Sequence, residues 1–355
     1  MNEDSILEAI RLQSERPPEE RLGDEYNEMV KGFVIDRNTE YPDPEYLIEF
    51  GGAPSVPKGN LVAVSAKWKN GKTFFCDILA AVFLGSDHFA GCRGLTDKGR
   101  VLFYDTEQAE SDTARIRKTI DAMIPEHRHD DIRVFCLRDA PIDRDDRGGK
   151  PSRFELIKSG IEHEHPDLVI VDGIADLIYN YNDVVESQDV VNELAALANR
   201  HNCAIVVVMH QNKGAKDRNM KGHLGTMLNQ KGSDEFSVEK HGTLFVVSHV
   251  MSRHRQGDGL VFKLDANAVP MDAAADRQRQ KELEHQQAVA KMRDQLALCM
   301  EDGADEIKKS ELAKLIIEKL GYSQAQAYNI IKEAEKLNVL IYNDKRHCRL
   351  VPLQQ

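Results

Sequence analysis

Several things are scarce in this chain, and each scarcity excludes a class of protein. The six cysteines (Cys76, Cys92, Cys136, Cys203, Cys299 and Cys348) stand far apart, and no two form a CxxC pair. That spacing argues against a disulfide frame and against a zinc site, and it predicts a protein of the reducing cytoplasm. No stretch approaches the ~18 consecutive apolar residues that a membrane-spanning helix needs, so no membrane partner is expected. The first 22 residues are acidic and carry no long apolar run, which predicts no signal peptide. Positive charge is in deficit: 47 Lys and Arg against 59 Asp and Glu leave a formal net charge of −12. A protein of that sign does not coat nucleic acid with its whole surface, so any such contact must come from local basic loops. Apolar residues are plentiful, at 41% of the 355 positions, enough to bury a large core. That length suggests two or three domains.

Residues 1–45 have few apolar positions, and Pro17-Pro18 interrupts them. They read as an acidic N-terminal arm, one helix followed by a loosely ordered segment. From Asn60 onward the pattern changes. Apolar runs at 61–65, 100–106, 131–137, 167–173 and 203–210 alternate with helical stretches, and 242–250 and 260–265 add further strands. Continuous apolar runs are what strands covered on both faces look like. Alternation with helices predicts an α/β domain over 46–270 with a mostly parallel central sheet. Residues 271–287 read as a polar linker helix. In 288–355, three helices and a β-hairpin read as a small winged-helix domain, with Gly321 ending the second helix and Ser323 capping the third.

The strongest chemical signal is AKWKNGKT, Ala66 to Thr73, placed between a buried strand and a helix. Triphosphate binding asks for this order, because the amides of a turn and a helix N-terminus converge on the β-phosphate. The nucleotide-binding set is therefore Ala66, Lys67, Trp68, Lys69, Asn70, Gly71, Lys72 and Thr73. Lys72 would neutralise the β/γ oxygens and the Thr73 hydroxyl would coordinate Mg²⁺, which makes ATP and Mg²⁺ the expected cofactors. The usual pattern begins with Gly. Ala66 in its place costs about 1 kcal/mol if the position needs positive φ, and nothing if it does not. The plainer alternative is a chance GKT in a lysine-rich loop.

Three further strand ends complete the pattern. DLVIVDG places Asp172 at a strand's C-terminal end, where α/β sheets bind ligands, so Asp172 would hold Mg²⁺ through water. LFYDTEQ places Glu107 just past another strand, where a carboxylate can deprotonate the attacking water. Asp105 is its rival, and a helix capped by Thr106 is the plainer alternative. VVVMHQN ends in His210, Gln211 and Asn212, a polar trio able to sense the γ-phosphate; a hydrogen-bonded His at a strand end is the plainer account.

On these motifs, residues 50–267 resemble the RecA-fold ATPases and, among them, the RepA-like plasmid helicases. The order matches: phosphate loop, Glu, Asp, then His/Gln. The resemblance implies a ring of identical subunits acting on DNA for a plasmid or mobile element, with a pair of basic residues reaching into the neighbour's nucleotide. MSRHRQGDG offers Arg253 and Arg255 at the matching spacing, and alternation along a strand would put both on one face. Two solvated arginines at a hairpin tip are the alternative. KGHLGT (221–226), within the loop 212–225, resembles a segment of such proteins. Lys213, Lys216, Arg218 and Lys221 would meet DNA phosphates there, with Tyr179 and Tyr181 of another loop stacking on bases. In the winged helix, Lys332 and Arg346 would contact duplex, although a nearly balanced charge leaves a protein partner open. Two rivals to the motor stand: a nucleotide-switched DNA-binding module without unwinding, and a nucleotide-dependent scaffold without DNA.

Overall fold

The computed structural model describes residues 18–30, 33–35, 37–96, 98–143, 149–214, 217–300, 307–342 and 347–351. They divide into two units, one before Tyr46 and one from Tyr46 onward. In the first, helix α1 runs from Pro18 to Val30. Pro18 thus opens this helix. Proline lacks an N–H, and the first helical position has no use for one.

The second unit begins with β1 (Tyr46–Phe50) and β2 (Ala53–Pro57), then β3 (Leu61–Ala66) and α2 (Lys72–Phe83). There follow β4 (Cys92–Gly94), β5 (Val101–Asp105), α3 (Glu110–Asp121), β6 (Ile132–Cys136) and α4 (Arg153–Glu164). Next come β7 (Leu168–Asp172), α5 (Val184–His201), β8 (Ala204–His210) and α6 (Gly222–Lys231). β9 (Asp234–His241), β10 (Leu244–Ser252), β11 (Leu260–Leu264) and β12 (Pro270–Asp272) close the domain. The central sheet has nine strands in the order β12-β11-β10-β9-β3-β8-β7-β5-β6. From β9 to β6 every pairing is parallel, and β10, β11 and β12 are added antiparallel. The fold is therefore α/β with a mostly parallel central sheet, as its alternating pattern predicts. β2, β1 and β4 form a separate three-stranded sheet in that order.

The two faces of the sheet bury separate cores, and the strand period of two assigns each residue to one of them. Val62 and Val64 of β3 join Phe75, Ile78 and Leu79 of α2 on one face. Leu61 and Ala63 join Val190, Leu194 and Leu197 of α5 on the other. Every residue of β3, β5 and β7 is buried, as strands covered on both sides must be.

β9 was not expected as a strand, because its sequence DEFSVEKH opens with two acids. Both are buried and partnered: His249 Nε2 lies 2.9 Å from an Asp234 carboxylate oxygen, and Ser65 Oγ donates to Glu235 at 2.8 Å. The KGHLGT segment was expected within a loop; instead Gly222 begins α6, with Lys221 as its N-cap.

Past β12, one helix, α7 (Ala274–Ala297), crosses the predicted 287/288 boundary without a break. Its C-terminal end delivers Leu296 into a third core with Leu312, Ile316, Ala327 and Ile331. Those residues belong to α8 (Lys309–Leu320) and α9 (Gln324–Lys336). Gly321, at φ 71°, ends α8, and a capping box of Ser323 and Gln326 begins α9. A small antiparallel sheet joins β13 (Ile307–Lys308), β15 (His347–Leu350) and β14 (Leu340–Tyr342) in that order.

Candidate functional site

The turn between β3 and α2 has two left-handed residues, Lys69 at φ 60° and Gly71 at φ 84°. Ala66 is not one of them. It closes β3 as a fully buried strand residue, so the missing first glycine costs no backbone strain. The left-handed demand falls on Lys69 instead, which an L-residue meets at a cost of roughly 1–2 kcal/mol. Gly71 is required by space as well: a Cβ there would sit 2.6 Å from the Phe245 ring. The N–H groups of the first turn of α2 have no helical acceptors and face the turn. The Trp68 ring does not fill it, being 72% exposed with the Lys69 ammonium 4.2 Å from its centroid.

The C-terminal ends of β3, β5, β7 and β8 bring the other predicted residues to this turn. Thr73 Oγ1 donates to Asp172 Oδ2 at 2.5 Å. Lys72 Nζ lies 3.0 Å from His210 Nδ1, and His210 Nε2 lies 3.5 Å from Glu107 Oε1. An ammonium can only donate, so Nδ1 accepts and Nε2 carries the proton that faces Glu107. Lys72, His210 and Glu107 thus form one chain across the cleft.

Asp105 and Glu107 differ in their hydrogen bonding. Asp105 is fully buried, and its Oδ1 accepts the N–H groups of Glu107 and Gln108, each at 3.0 Å. Its Oδ2 accepts from Thr113 Oγ1 at 2.7 Å, so both of its oxygens are engaged within the protein. Thr106 does not cap the following helix; α3 has Ala109 at its N-cap. Its hydroxyl reaches Asp172 O, Gly173 O and Asp176 Oδ2, locking the ends of β5 and β7 together. Glu107 alone lines the cleft with a free edge, and the His210 bond holds its carboxyl below the usual range. A carboxylate ionised near neutrality is the form a base needs.

Burial dominates the neighbours. It pushes the Asp172 carboxyl up to about 7; the Thr73 bond opposes this, while Glu107 and Asp105 reinforce it. Burial also lowers Lys72, against the pull of Asp172 and Glu107. A site that gathers a lysine, a hydroxyl and buried carboxylates at an amide-lined turn fits a triphosphate with Mg²⁺. Among the described residues no three His, Cys, Asp or Glu side chains cluster as a closed metal cage. Mg²⁺ takes one or two protein ligands beside phosphate oxygens and water. Thr73 and Asp172 are the residues that would hold it.

The cleft encloses about 840 Å³, and its far walls were not legible in the sequence. One wall is α3, with Arg115, Ile116 and Thr119. The other is built from Lys240, Phe245 and the turn Asn267–Val269. Phe245 stacks on Phe262 with centroids 4.9 Å apart. Asp77, one turn along α2 from Thr73, also lines the cleft; its Oδ1 is buried with no partner among the described residues, and burial drives its carboxyl well above the usual range.

Gln211 faces away from the phosphate turn. Its amide donates to Ser65 Oγ and Ser237 Oγ at 3.0 and 2.9 Å, inside the sheet. Of the polar trio, only His210 reaches the site; Asn212 turns to Asp217.

Arg253 and Arg255 do not share a strand face, because β10 ends at Ser252. Arg253 donates to the carbonyls of Gly232 and Lys231 at 3.2 and 2.9 Å, capping the C-terminus of α6. Arg255 is exposed on the following loop. That loop is anchored by Gly257 N–H to His249 Nδ1 at 3.1 Å and by Asp258 N–H to Gly51 O at 2.9 Å.

The two basic and aromatic loops meet. The Lys221 ammonium lies 4.5 Å from the Tyr181 ring centroid, and Leu224 N–H donates to Tyr181 O at 3.1 Å. Tyr179 is 66% exposed beside them. Lys213 is exposed, and Arg218 pairs with Glu239 at 2.8 Å. Lys332 lies on the exposed side of α9. Lys216 and Arg346 lie outside the described residues.

No helix among the described residues is long and apolar enough to cross a membrane. No curated protein matches the chain. The sequence model of a family described as an AAA domain matches residues 25–216, a span that contains the phosphate turn, Glu107, Asp172 and His210. That span is more than half of the chain, and with the site geometry it places this protein in the AAA-domain family of P-loop ATPases.

Proposed function

We propose that the protein is an ATP-driven motor that works on DNA as a ring of identical cytoplasmic subunits. The RepA-like resemblance adds the setting, replication or mobilization of a plasmid or mobile element. The observation that carries this reading is the position of His210. Its ring touches Lys72 and Glu107, while its backbone carbonyl accepts the N–H of Lys221 at 2.9 Å, beside Tyr181. One residue thus reads both the nucleotide cleft and the loop surface, which a motor needs and a simple nucleotide store does not.

In this reading the triphosphate of ATP lies along residues 66–73, with Lys72 on its β/γ oxygens. Mg²⁺ held by Thr73 and Asp172 would spread the developing negative charge. Glu107 orients the attacking water and takes its proton. Arg255 of the adjacent subunit supplies positive charge to the leaving phosphate, a role for which Arg253, tied to α6, is poorly placed. Tyr179, Tyr181, Lys213 and Lys221 carry single-stranded DNA by stacking and charge, without reading its sequence.

The test is ATP turnover with and without single-stranded DNA across a salt series. Stimulation of at least about three-fold that fades as salt rises is expected, because phosphate contacts release counterions. Arg255→Ala subunits should regain turnover when mixed with Glu107→Gln subunits. A chain indifferent to single strands is not a motor of this kind.

A nucleotide-switched DNA-binding protein is the second reading. It draws on α9, which presents Gln324, Tyr328, Asn329 and Lys332 on an exposed face above a small antiparallel sheet, as a winged helix does. Stimulation by one duplex sequence instead of by single strands would favour it.

A further inference from the structure

Lys67 is the second residue of the phosphate turn, yet it does not line the nucleotide cleft. Its ammonium points the other way and donates to the carbonyl of Gly214 at 2.9 Å. Gly214 lies on the loop that joins β8 to α6, and the same carbonyl accepts the N–H of Asp217 at 3.2 Å. The base of this loop is closed by the Gln211–Met220 bridge, by Asn212 N–H to Asn219 O at 3.0 Å and by Lys221 N–H to His210 O. Its far side carries Lys213 and leads to Lys221 on the Tyr181 ring. The phosphate turn and the loop surface are therefore joined through the backbone of His210, through Gln211 N–H donating to Ala66 O at 2.9 Å, and through the side chain of Lys67.

We propose that Lys67 is a coupling residue, whose bond to Gly214 makes the loop 211–221 respond to nucleotide in the turn 66–73. A charged donor on a carbonyl is a strong, directional bond. A triphosphate in the turn brings several negative charges close to the backbone that carries Lys67, and the ammonium is drawn toward them. The Gly214 carbonyl then loses its charged donor and the loop loosens. Linkage makes the effect mutual: a ligand that orders the loop with Lys67 on Gly214 alters nucleotide affinity by the same factor. This rests on nucleotide binding at residues 66–73, as proposed above, and adds a side-chain route from it to the loop.

Hydrogen exchange of the peptide covering 211–221 tests it, with and without ATP under conditions where binding of a labelled ATP is measured directly. In the parent, nucleotide should change exchange of this peptide by about three-fold or more. In Lys67→Met, with labelled ATP raised until its measured binding to the variant saturates, the response should fall to near nothing, and Lys67→Arg, which keeps a donor, should restore it. Even without nucleotide, Lys67→Met should exchange faster than the parent in this loop, with α5 unchanged, a readout that holds if the variant binds ATP poorly. A loop that exchanges alike in parent and Lys67→Met without nucleotide overturns the proposal, as does an undiminished nucleotide response in Lys67→Met. Absence of ATP binding in the parent overturns the nucleotide reading and this proposal together; binding that leaves the parent loop unmoved overturns this proposal alone.

Discussion

The nucleotide cleft and the loop surface lie at the same end of the sheet and are built on opposite principles. In the cleft, polar groups are buried and bonded to one another: Thr73 to Asp172, Asp105 to two amides and Thr113, and Thr106 to three acceptors. On the loop surface, Tyr179 and Lys213 stand in solvent and Lys221 rests on a ring. Chemistry on a phosphate needs groups held in place before the substrate arrives, because reorganising them during the reaction costs rate. On the proposed reading, a surface that accepts any base gains from side chains that adjust. Rigidity in the cleft also has a cost, since Asp172 is kept where its charge is disfavoured.

The largest expected effect lies in the cleft. Glu107→Gln should lower turnover by about 10²–10⁴-fold while nucleotide affinity changes little, since general-base groups contribute on that scale. Single-turnover kinetics with a binding titration would show it. Undiminished turnover would remove Glu107 from the reaction and erase the contrast at its centre.

The next is a stability effect that depends on pH. The Asp172 carboxyl sits at about 7 in the folded chain against an ordinary 3.8, so the native state holds the proton more tightly than the unfolded one. Stability should therefore fall as pH rises from about 4 to about 7, by an amount on the order of a few kcal/mol. Asp172→Asn cannot ionise and escapes this loss. In magnesium-free buffer its Tm advantage over the parent should grow by roughly 5 °C between pH 5 and pH 8. A constant difference across that range would mean the carboxyl is ionised without cost.

The smallest effect is on the loop surface. Tyr179→Ala should weaken single-stranded DNA binding by about 1–3 kcal/mol, the scale of one stacked base, and leave Tm and unstimulated turnover unchanged, because the ring is exposed. Fluorescence anisotropy and a melting curve would separate the two. A drop in Tm equal to that of a core change would place Tyr179 with the cleft as a structural residue.

Much of the cleft could be read directly from the chain. The phosphate turn, Glu107, Asp172 and His210 each end an apolar run, and a parallel sheet gathers strand ends at one edge whatever the details. The far walls could not be read. Phe245, Lys240 and Asn267–Val269 lie beyond the alternating part of the sequence, and nothing local says that β10 to β12 will fold back beside α2. Gln211 was legible as polar but not as inward-facing, because its partners Ser65 and Ser237 come from two other strands. Arg253 and Arg255 show the same limit: their spacing is a fact of the sequence, but whether they share a face depends on where β10 stops.

The sequence by itself determined that a triphosphate-binding turn sits between a buried strand and a helix, since local pattern and period are short-range properties of the chain. It also determined which residue types stand at the strand ends. Tertiary structure alone decided that Asp105 is consumed by hydrogen bonds while Glu107 is left with a free edge. It alone made DEFSVEKH a buried strand, by bringing His249 and Ser65 to its two acids. It alone turned Lys67 from the nucleotide toward Gly214. The reason is common to all three. A charged or polar group goes where its partner is, and partners as far apart in the chain as Ser65 and Glu235, 170 residues, meet only when the sheet is assembled.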